Sequence, residues 1–376
     1  MDTLTQIVLG AAVGQATARK RIGRAALAIG AVGGLIPDLD VFAAGALGPL
    51  GEWQYHRGIT HSLFFGPVVG PALGYGLWAA LRRWRAQSPL AAPMALGPIV
   101  AVLTLALVTH PLLDLFTVYG TQLLAPFSNA RFAIPAVPII DPVYTLLLVA
   151  ALAVGLLPRV GRGAHVAAAA ALTLSSAYLF YGWSQNQQAE ALARRQLAAE
   201  GVRMADIRAY TTMFQPWLRR LVIHEPAGLR IGFVSTWAPD SIAWTCLRPA
   251  PQDAVLDTAL ETEHARVLTW FAGGQVWPQR WRDGEGRVVV RLTDLRYGAP
   301  GSTIAGWWGI DVTLTPEGQV ADARRIAVPR AAISGATVAA LYRAGFGDVA
   351  ALYDALGTPT PTQLAGHAPT TCTAPS

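Results

Sequence analysis

Three clusters of ionisable residues in the first half of the chain have types and spacings that could do chemistry. Pro37-Asp38-Leu39-Asp40 ends an apolar run with two carboxylates two residues apart. In a turn, such a pair can offer oxygens to one cation or bridge two. His56-Arg57-Gly58-Ile59-Thr60-His61-Ser62 sets two imidazoles and a guanidinium just ahead of the apolar run Ser62–Leu81. Neutral imidazole is the commonest nitrogen ligand for zinc and similar ions. A spacing of five does not put both rings on one helical face, so Gly58 is expected to supply a turn that converges them. Thr60 or Ser62 would then cap the next helix. Arg57, a planar two-pronged donor, suits an anionic substrate group such as phosphate. His110-Pro111-Leu112-Leu113-Asp114 places an imidazole and a carboxylate at i and i+4. They share a helical face and can bind one ion, or Asp114 can orient His110 from behind. Asp141 precedes Pro142 and reads as a helix N-cap, with a contribution to the site open alongside that role. Each cluster also has a plain structural reading: solvated acids at a helix end, an interfacial cap, or a buried His–Asp hydrogen bond.

The elements that must position these groups follow from charge. Only 14% of the 376 residues are charged and 53% are hydrophobic, against about 25% charged in soluble domains. Residues 1–183 hold 11 Lys/Arg and 6 Asp/Glu, while residues 184–376 hold 18 and 17. A membrane-embedded half joined to a water-soluble half is the expectation. Four apolar segments are candidate spans: Ser62–Leu81, Ala86–Leu113, Pro142–Pro158 and Ala164–Trp183. Thr3–Ala18 and Ala25–Pro37 are too short to span comfortably and are expected to form a helical hairpin. In the hairpin, Gly10 and Gly14 allow close helix approach or simple small-residue packing. Basic clusters at Arg19–Arg24, Arg82–Arg85 and Arg159–Arg162 assign one face to the cytoplasm. The opposite face receives Asp38, Asp40, His56, His61, His110, Asp114 and Asp141. Met1–Ala18 lacks a basic n-region, so a cleavable signal peptide is not expected.

After Trp183 the pattern changes. Ser184–Gly201 continues a helix in polar form, and Leu229–Trp237, Arg287–Leu295 and Ile304–Leu314 read as strands. Asp257–Phe271 and Ser334–Leu356 read as helices. The expected fold is thus a polytopic helical membrane domain at 1–183, a soluble α+β domain at 184–357 and a disordered tail at 358–376. Eight of the 12 tryptophans lie between Trp217 and Trp308, for core packing, a membrane interface or a ligand groove. Cys246 and Cys372 could pair outside the cytoplasm, but the tail position of Cys372 argues against it. No basic stripe with interleaved aromatics suggests nucleic acid, and no Walker loop, nucleophile elbow or dinucleotide fingerprint competes for the site.

Several motifs resemble a bacterial family of inner-membrane metal-dependent hydrolases, also described as LexA-binding and inner-membrane-associated. They are Met1-Asp2-Thr3-Leu4-Thr5-Gln6-Ile7-Val8-Leu9-Gly10, the Asp38, His56 and His110 motifs above, Tyr119–Ser128 and Ile140-Asp141-Pro142. The resemblance covers roughly residues 1–183. More distantly, the paired histidines and HxxxD are similar to the zinc-dependent phospholipase C and single-strand nuclease superfamily. The resemblance implies a divalent metal (zinc first, manganese or magnesium as alternatives) held by Asp38, Asp40, His56, His61, His110 and Asp114. Asp40, Arg57 and Asp114 would be catalytic and Asp141 supporting. Gln6 stands where many relatives have His, which removes one ligand candidate. The expected activity is metal-assisted hydrolysis of a phosphate ester in a membrane lipid or lipid-linked substrate. The alternative is a membrane scaffold with a structural ion and a regulatory protein partner. A transporter is disfavoured because the ionisable groups sit at helix ends and no inverted repeat is visible.

Overall fold

A computed structural model describes residues 1–85, 94–157, 161–202, 206–225, 228–248, 250–329, 333–357 and 372. Arg159 and the tail proposed as disordered, Cys372 apart, lie outside the described residues. The chain divides into two compact units, Met1–Leu47 with Tyr55–Tyr181, and Gly48–Gln54 with Gly182–Ser376.

The first unit is helical. Helix α1 (Thr3–Ile22) starts at Asp2, whose carboxylate accepts from the Thr5 amide. Helix α2 (Ala25–Leu35) follows after Gly23, and the two helices touch backbone to backbone. A Cβ on Gly10 would lie 2.1 Å from the Gly30 carbonyl oxygen, and one on Gly14 would lie 2.0 Å from that of Ala26. The small residues therefore serve close helix contact, in the spacing known from membrane helices.

The chain continues from α2 through a 3-10 turn, Ile36–Leu39, into α3 (Asp40–Ala46). The expected hairpin is present as α1 packed on α2, but its second arm is longer than expected, since Ala25–Ala46 is a 22-residue run long and apolar enough to cross a membrane. The apolar count from the sequence stopped at Asp38, but burial of that acid lets the helical path run on. Helices α4 (Gly51–Tyr55) and α5 (Phe65–Arg85) flank the His56–His61 motif, and the pieces Gly51–His61 and Phe65–Trp84 are a pair bent by 68° that together have the length and apolarity of a span. Helix α6 is Leu96–Leu115, and α7, Pro142–Leu156, is shorter than a usual span at 15 residues. Helix α8 runs unbroken for 38 residues, Arg162–Ala199, so the polar segment after Trp183 does continue the last apolar helix. Three helices, or four with the bent pair, thus meet the length and apolarity of membrane spans among the described residues. Their packing centres on α1, whose Val8, Leu9, Ala12 and Val13 meet Leu113 of α6, Leu148 and Ala151 of α7, and Ala171 of α8.

The second unit holds two four-stranded antiparallel sheets. Strands β1 (Asp206–Thr211), β2 (Leu218–Glu225), β3 (Gly228–Ser235) and β4 (Thr245–Leu247) form one in sequential order. Strands β5 (Val276–Arg282), β6 (Val288–Asp294), β7 (Trp308–Leu314) and β8 (Val320–Ala327) form the other. Pro278 is tolerated in β5 because that strand lies at the sheet edge. Among the described residues the unit also holds the short α-helices Ala254–Leu260, Glu263–Phe271, Gly335–Gly345 and Ala350–Leu356 and a 3-10 turn, Gly301–Thr303. Gly48–Gln54 joins this unit because Trp53, 1% exposed, stacks on Phe271 while Arg325 lies over its ring and pairs with Glu52. The tryptophans are divided: Trp277 is buried, Trp307 and Trp308 pack on Tyr297, and Trp237 is 62% exposed. Cys246 and Cys372 form a disulfide, against the expectation drawn from the tail position of Cys372. The two residues stand 126 apart in sequence with Cα atoms 5.6 Å apart, so proximity in space overrides separation along the chain.

Candidate metal centre

Four side chains from three parts of the first unit converge on one point. Asp38 comes from the 3-10 turn after α2, His61 from the 3-10 turn Ile59–His61, and His110 and Asp114 from one face of α6. Each offers one ligand atom, and all four atoms lie within 4.8 Å of one another. His110 Nε2 is 3.0 Å from His61 Nε2, 3.4 Å from Asp38 Oδ1 and 3.6 Å from Asp114 Oδ2. His61 Nε2 is 3.5 Å from Asp38 Oδ1 and 3.3 Å from Asp114 Oδ2. Tetrahedral zinc with bonds of about 2.0–2.2 Å to nitrogen and oxygen separates its ligands by about 3.3–3.6 Å. The donor set suits such an ion in number and chemistry; four of the five separations above lie at 3.3–3.6 Å, and the two imidazole nitrogens, at 3.0 Å, are closer.

The hydrogen bonds behind these atoms decide which lone pairs face inward. The Nδ1 of His110 is 2.7 Å from the Gly34 carbonyl, which can only accept. That nitrogen carries the hydrogen, so the Nε2 of a neutral ring presents its lone pair to the centre. His61 Nδ1 is 3.0 Å from Thr60 Oγ1 and 3.2 Å from Asp40 Oδ2. The Thr60 hydroxyl already donates to Asp40 Oδ2, at 2.6 Å, so it can only accept from His61. His61 Nδ1 therefore donates on either path, and in a neutral ring its Nε2 also turns a lone pair inward. Two lone pairs facing each other across 3.0 Å repel unless a cation or proton lies between them. Outward donation from Nδ1 is the arrangement that metal-bound histidines use to fix tautomer and ring orientation.

The acids follow the same logic, each using one oxygen for support and turning the other inward. Asp38 Oδ2 accepts from the Thr3 hydroxyl at 2.9 Å, leaving Oδ1 at the centre. Asp114 Oδ1 accepts from Gln6 Nε2 at 3.1 Å, lies 3.2 Å from Arg57 Nη2 and pairs with the amino group of Met1. Asp114 Oδ2 is buried without a hydrogen-bond partner among the described residues. A buried acceptor left unmatched costs about 1–3 kcal/mol, and a ligand at the centre removes that cost.

The remaining expected residues surround this group. His56 stands outside the four, with its Nδ1 2.6 Å from Asp40 Oδ1. Asp40 thus holds both His56 and His61, and is placed behind the ligand atoms. Arg57 is 3% exposed; besides Asp114 it reaches the Thr117 hydroxyl at 2.8 Å and lies over the Tyr119 ring. Both terminal nitrogens of its guanidinium thus face protein groups, and its Nε is buried without a hydrogen-bond partner among the described residues. Asp141 caps α7 by accepting from the Tyr144 amide at 3.1 Å, and Tyr178 also donates to it at 3.0 Å. Ser62, not Thr60, meets the next helix, accepting from the Phe65 amide. The turn that brings the histidines around does not rest on Gly58 alone. Arg57 adopts φ 59°, and a Cβ at Gly58 would lie 2.7 Å from the Tyr55 carbonyl oxygen. A left-handed non-glycine residue costs roughly 1–2 kcal/mol and persists where its surroundings hold it. Sequence reasoning missed the supporting roles of Gln6, Thr3, Thr60 and Gly34. All four are uncharged; Gln6 and Thr60 stood out in the sequence only as a departure from the family's His and as a candidate cap.

A family model described as YdjM inner membrane protein matches residues 1–189, just over half of the chain. The chain belongs to this family. That match and the apolar helices make it a bacterial inner membrane protein. All four converging residues, and the groups that support them, fall within the part that matches the family. No curated protein and no solved structure matches the chain.

Proposed function

We propose that the first unit is a membrane-bound metal-dependent hydrolase that cleaves a phosphate ester of an amphiphilic or lipid-linked substrate. The observation that carries this reading is the convergence of two imidazole nitrogens and two carboxylate oxygens within 4.8 Å of one another, with one of the oxygens otherwise unmatched. Asp38, His61, His110 and Asp114 would hold the ion, and two nitrogen and two oxygen donors suit zinc or manganese. With a fifth position open beside the four protein donors, such an ion would supply Lewis acidity and lower the pKa of a water.

The protein's own groups have separable tasks. Asp40 and the Gly34 carbonyl hold the two histidines in one tautomer. Arg57 and Gln6 fix Asp114 and offset part of its charge. The His56–Asp40 pair, with side chains 16% and 10% exposed, is the solvent-facing edge of the cluster and is suited to carry a proton in or out. Around it the same segments expose Leu39, Phe42, Ile59, Phe64 and Phe127, an apolar surface that favours a substrate with acyl or polyprenyl chains.

Metal analysis tests the first step. The purified protein is expected to carry about one equivalent of zinc or manganese, lost in a His61→Ala/His110→Ala variant. Unchanged metal content in that variant overturns the proposal. Hydrolysis of a phosphodiester lipid by the loaded protein, abolished by Asp114→Asn, tests the second. A structural ion in a scaffold is the alternative, favoured by the complete burial of His61, His110 and Asp114. Metal retained without hydrolysis of any phosphoester decides for it.

The orientation belongs to the same proposal. The basic clusters mark the cytoplasmic side, and the Cys246–Cys372 disulfide is at home in an oxidising compartment. Together they support an extracytoplasmic second unit.

A further inference from the structure

Gln6 and Arg19 stand thirteen residues apart on α1, about 20 Å along a helix. At the Arg19 end, away from the metal centre, an open pocket of about 500 Å³ is lined by Arg19, Lys20, Arg24, Arg162 and His165, with Gly23 and Gly161 between them. Its walls are the last turn of α1, the turn into α2 and the first turn of α8. No acid lines it, and among the described residues none of its five basic side chains makes an ion pair. Arg24 donates to the Leu156 carbonyl at 2.8 Å. One guanidinium nitrogen of Arg19, Nη1, is buried without a hydrogen-bond partner among the described residues. Gly23 and Gly161, at φ 62° and 51°, make the two tight turns, and the space beside Gly23 is open.

Cations at the end of α1 complement the negative end of its dipole, so Arg19 and Lys20 by themselves need no ligand. Arg162 and His165 are different, because they sit at the start of α8, where the dipole is positive and disfavours cations. A bias of arginines towards the cytoplasm requires only that they lie on that side. It does not require them to line one concavity and leave a buried nitrogen unmatched. An anion between the α8 amides and these side chains resolves both features, and a planar guanidinium is matched to phosphate oxygens.

We propose that this pocket binds a phosphate group, presented by an anionic phospholipid at the membrane surface or by free phosphate. Basic pockets between membrane helices on the cytoplasmic side are suited to anionic headgroups. The site is independent of the metal centre and of any hydrolytic activity.

The full chain in neutral detergent is titrated with phosphatidylglycerol, phosphatidylcholine and inorganic phosphate, with native mass spectrometry as the readout. Phosphatidylglycerol is expected to bind one per chain, at least tenfold tighter than phosphatidylcholine. Arg19→Gln/Arg162→Gln is expected to weaken that binding at least tenfold, with metal content unchanged. Lys20→Gln/Arg24→Gln, at two exposed positions, gives the same readout should the first variant fail to fold. Displacement of the lipid by millimolar phosphate would identify the free anion as the ligand, and its failure to displace would identify the headgroup. Equal binding of the two lipids without phosphate binding, or undiminished binding in the variants, overturns the proposal.

Discussion

Asp40 and His61 touch but have different tasks, and substitution separates them. His61→Ala removes a donor atom and is expected to abolish metal binding. Asp40→Asn leaves all four donor atoms and disturbs the acceptor of His61 Nδ1, of the Thr60 hydroxyl and of the Arg57 amide, and the partner of His56. A loss of about 10–100-fold in metal affinity is the expectation for such a supporting group, measured by competition with a chromophoric chelator. Equal losses in the two variants would place Asp40 among the ligands. Arg57 offers a third reading at this scale. Its charge is buried against Asp114, and breaking a buried pair costs about 3–5 kcal/mol. Arg57→Ala should therefore lower the melting temperature markedly even in chelator-treated protein, whereas an arginine that served only substrate would leave it unchanged.

At the scale of elements, the site depends on how closely α1 and α2 approach. Gly34 supplies the carbonyl that orients His110, and its neighbours on the same helix face meet α1 through backbone alone. A side chain at Gly30 would strike the Gly10 carbonyl at 2.1 Å and push the helices apart. Gly30→Leu is expected to lower both thermal stability and metal occupancy, although it touches no ligand. Normal occupancy in a folded Gly30→Leu protein would show that the centre does not rely on this contact. The α1–α2 contact was half legible in the sequence. Gly10 and Gly14, and likewise Gly30 and Gly34, have the required four-residue spacing, but which glycine meets which backbone is seen only in the packed helices.

For the whole molecule, the expectations concern compartment and cross-link. A reporter fused after Ser376 is expected to be active only outside the cytoplasm, and cytoplasmic activity would overturn the proposed orientation. The Cys246–Cys372 bond closes a loop of 126 residues, for which the chain-entropy model gives about 4–5 kcal/mol. Reduction, or Cys246→Ser, should lower the unfolding temperature of the second unit and leave metal content unchanged. A metal content that falls with the disulfide would show that the two units are energetically coupled.

Composition and spacing were enough to determine a charge-poor helical half, a charge-normal half with strands, and the acids and histidines from which a centre could be built. Those properties are local: span length, helical period and residue chemistry are all written along the chain. Tertiary structure alone decided that His61, His110, Asp38 and Asp114 form the group of four while His56 pairs with Asp40 beside it. It also decided that Arg57 is committed to Asp114, and that Cys372 reaches Cys246. These outcomes depend on distances of a few ångströms between segments far apart in sequence. Helix packing, hydrogen-bond direction and burial set those distances, and no local pattern encodes them.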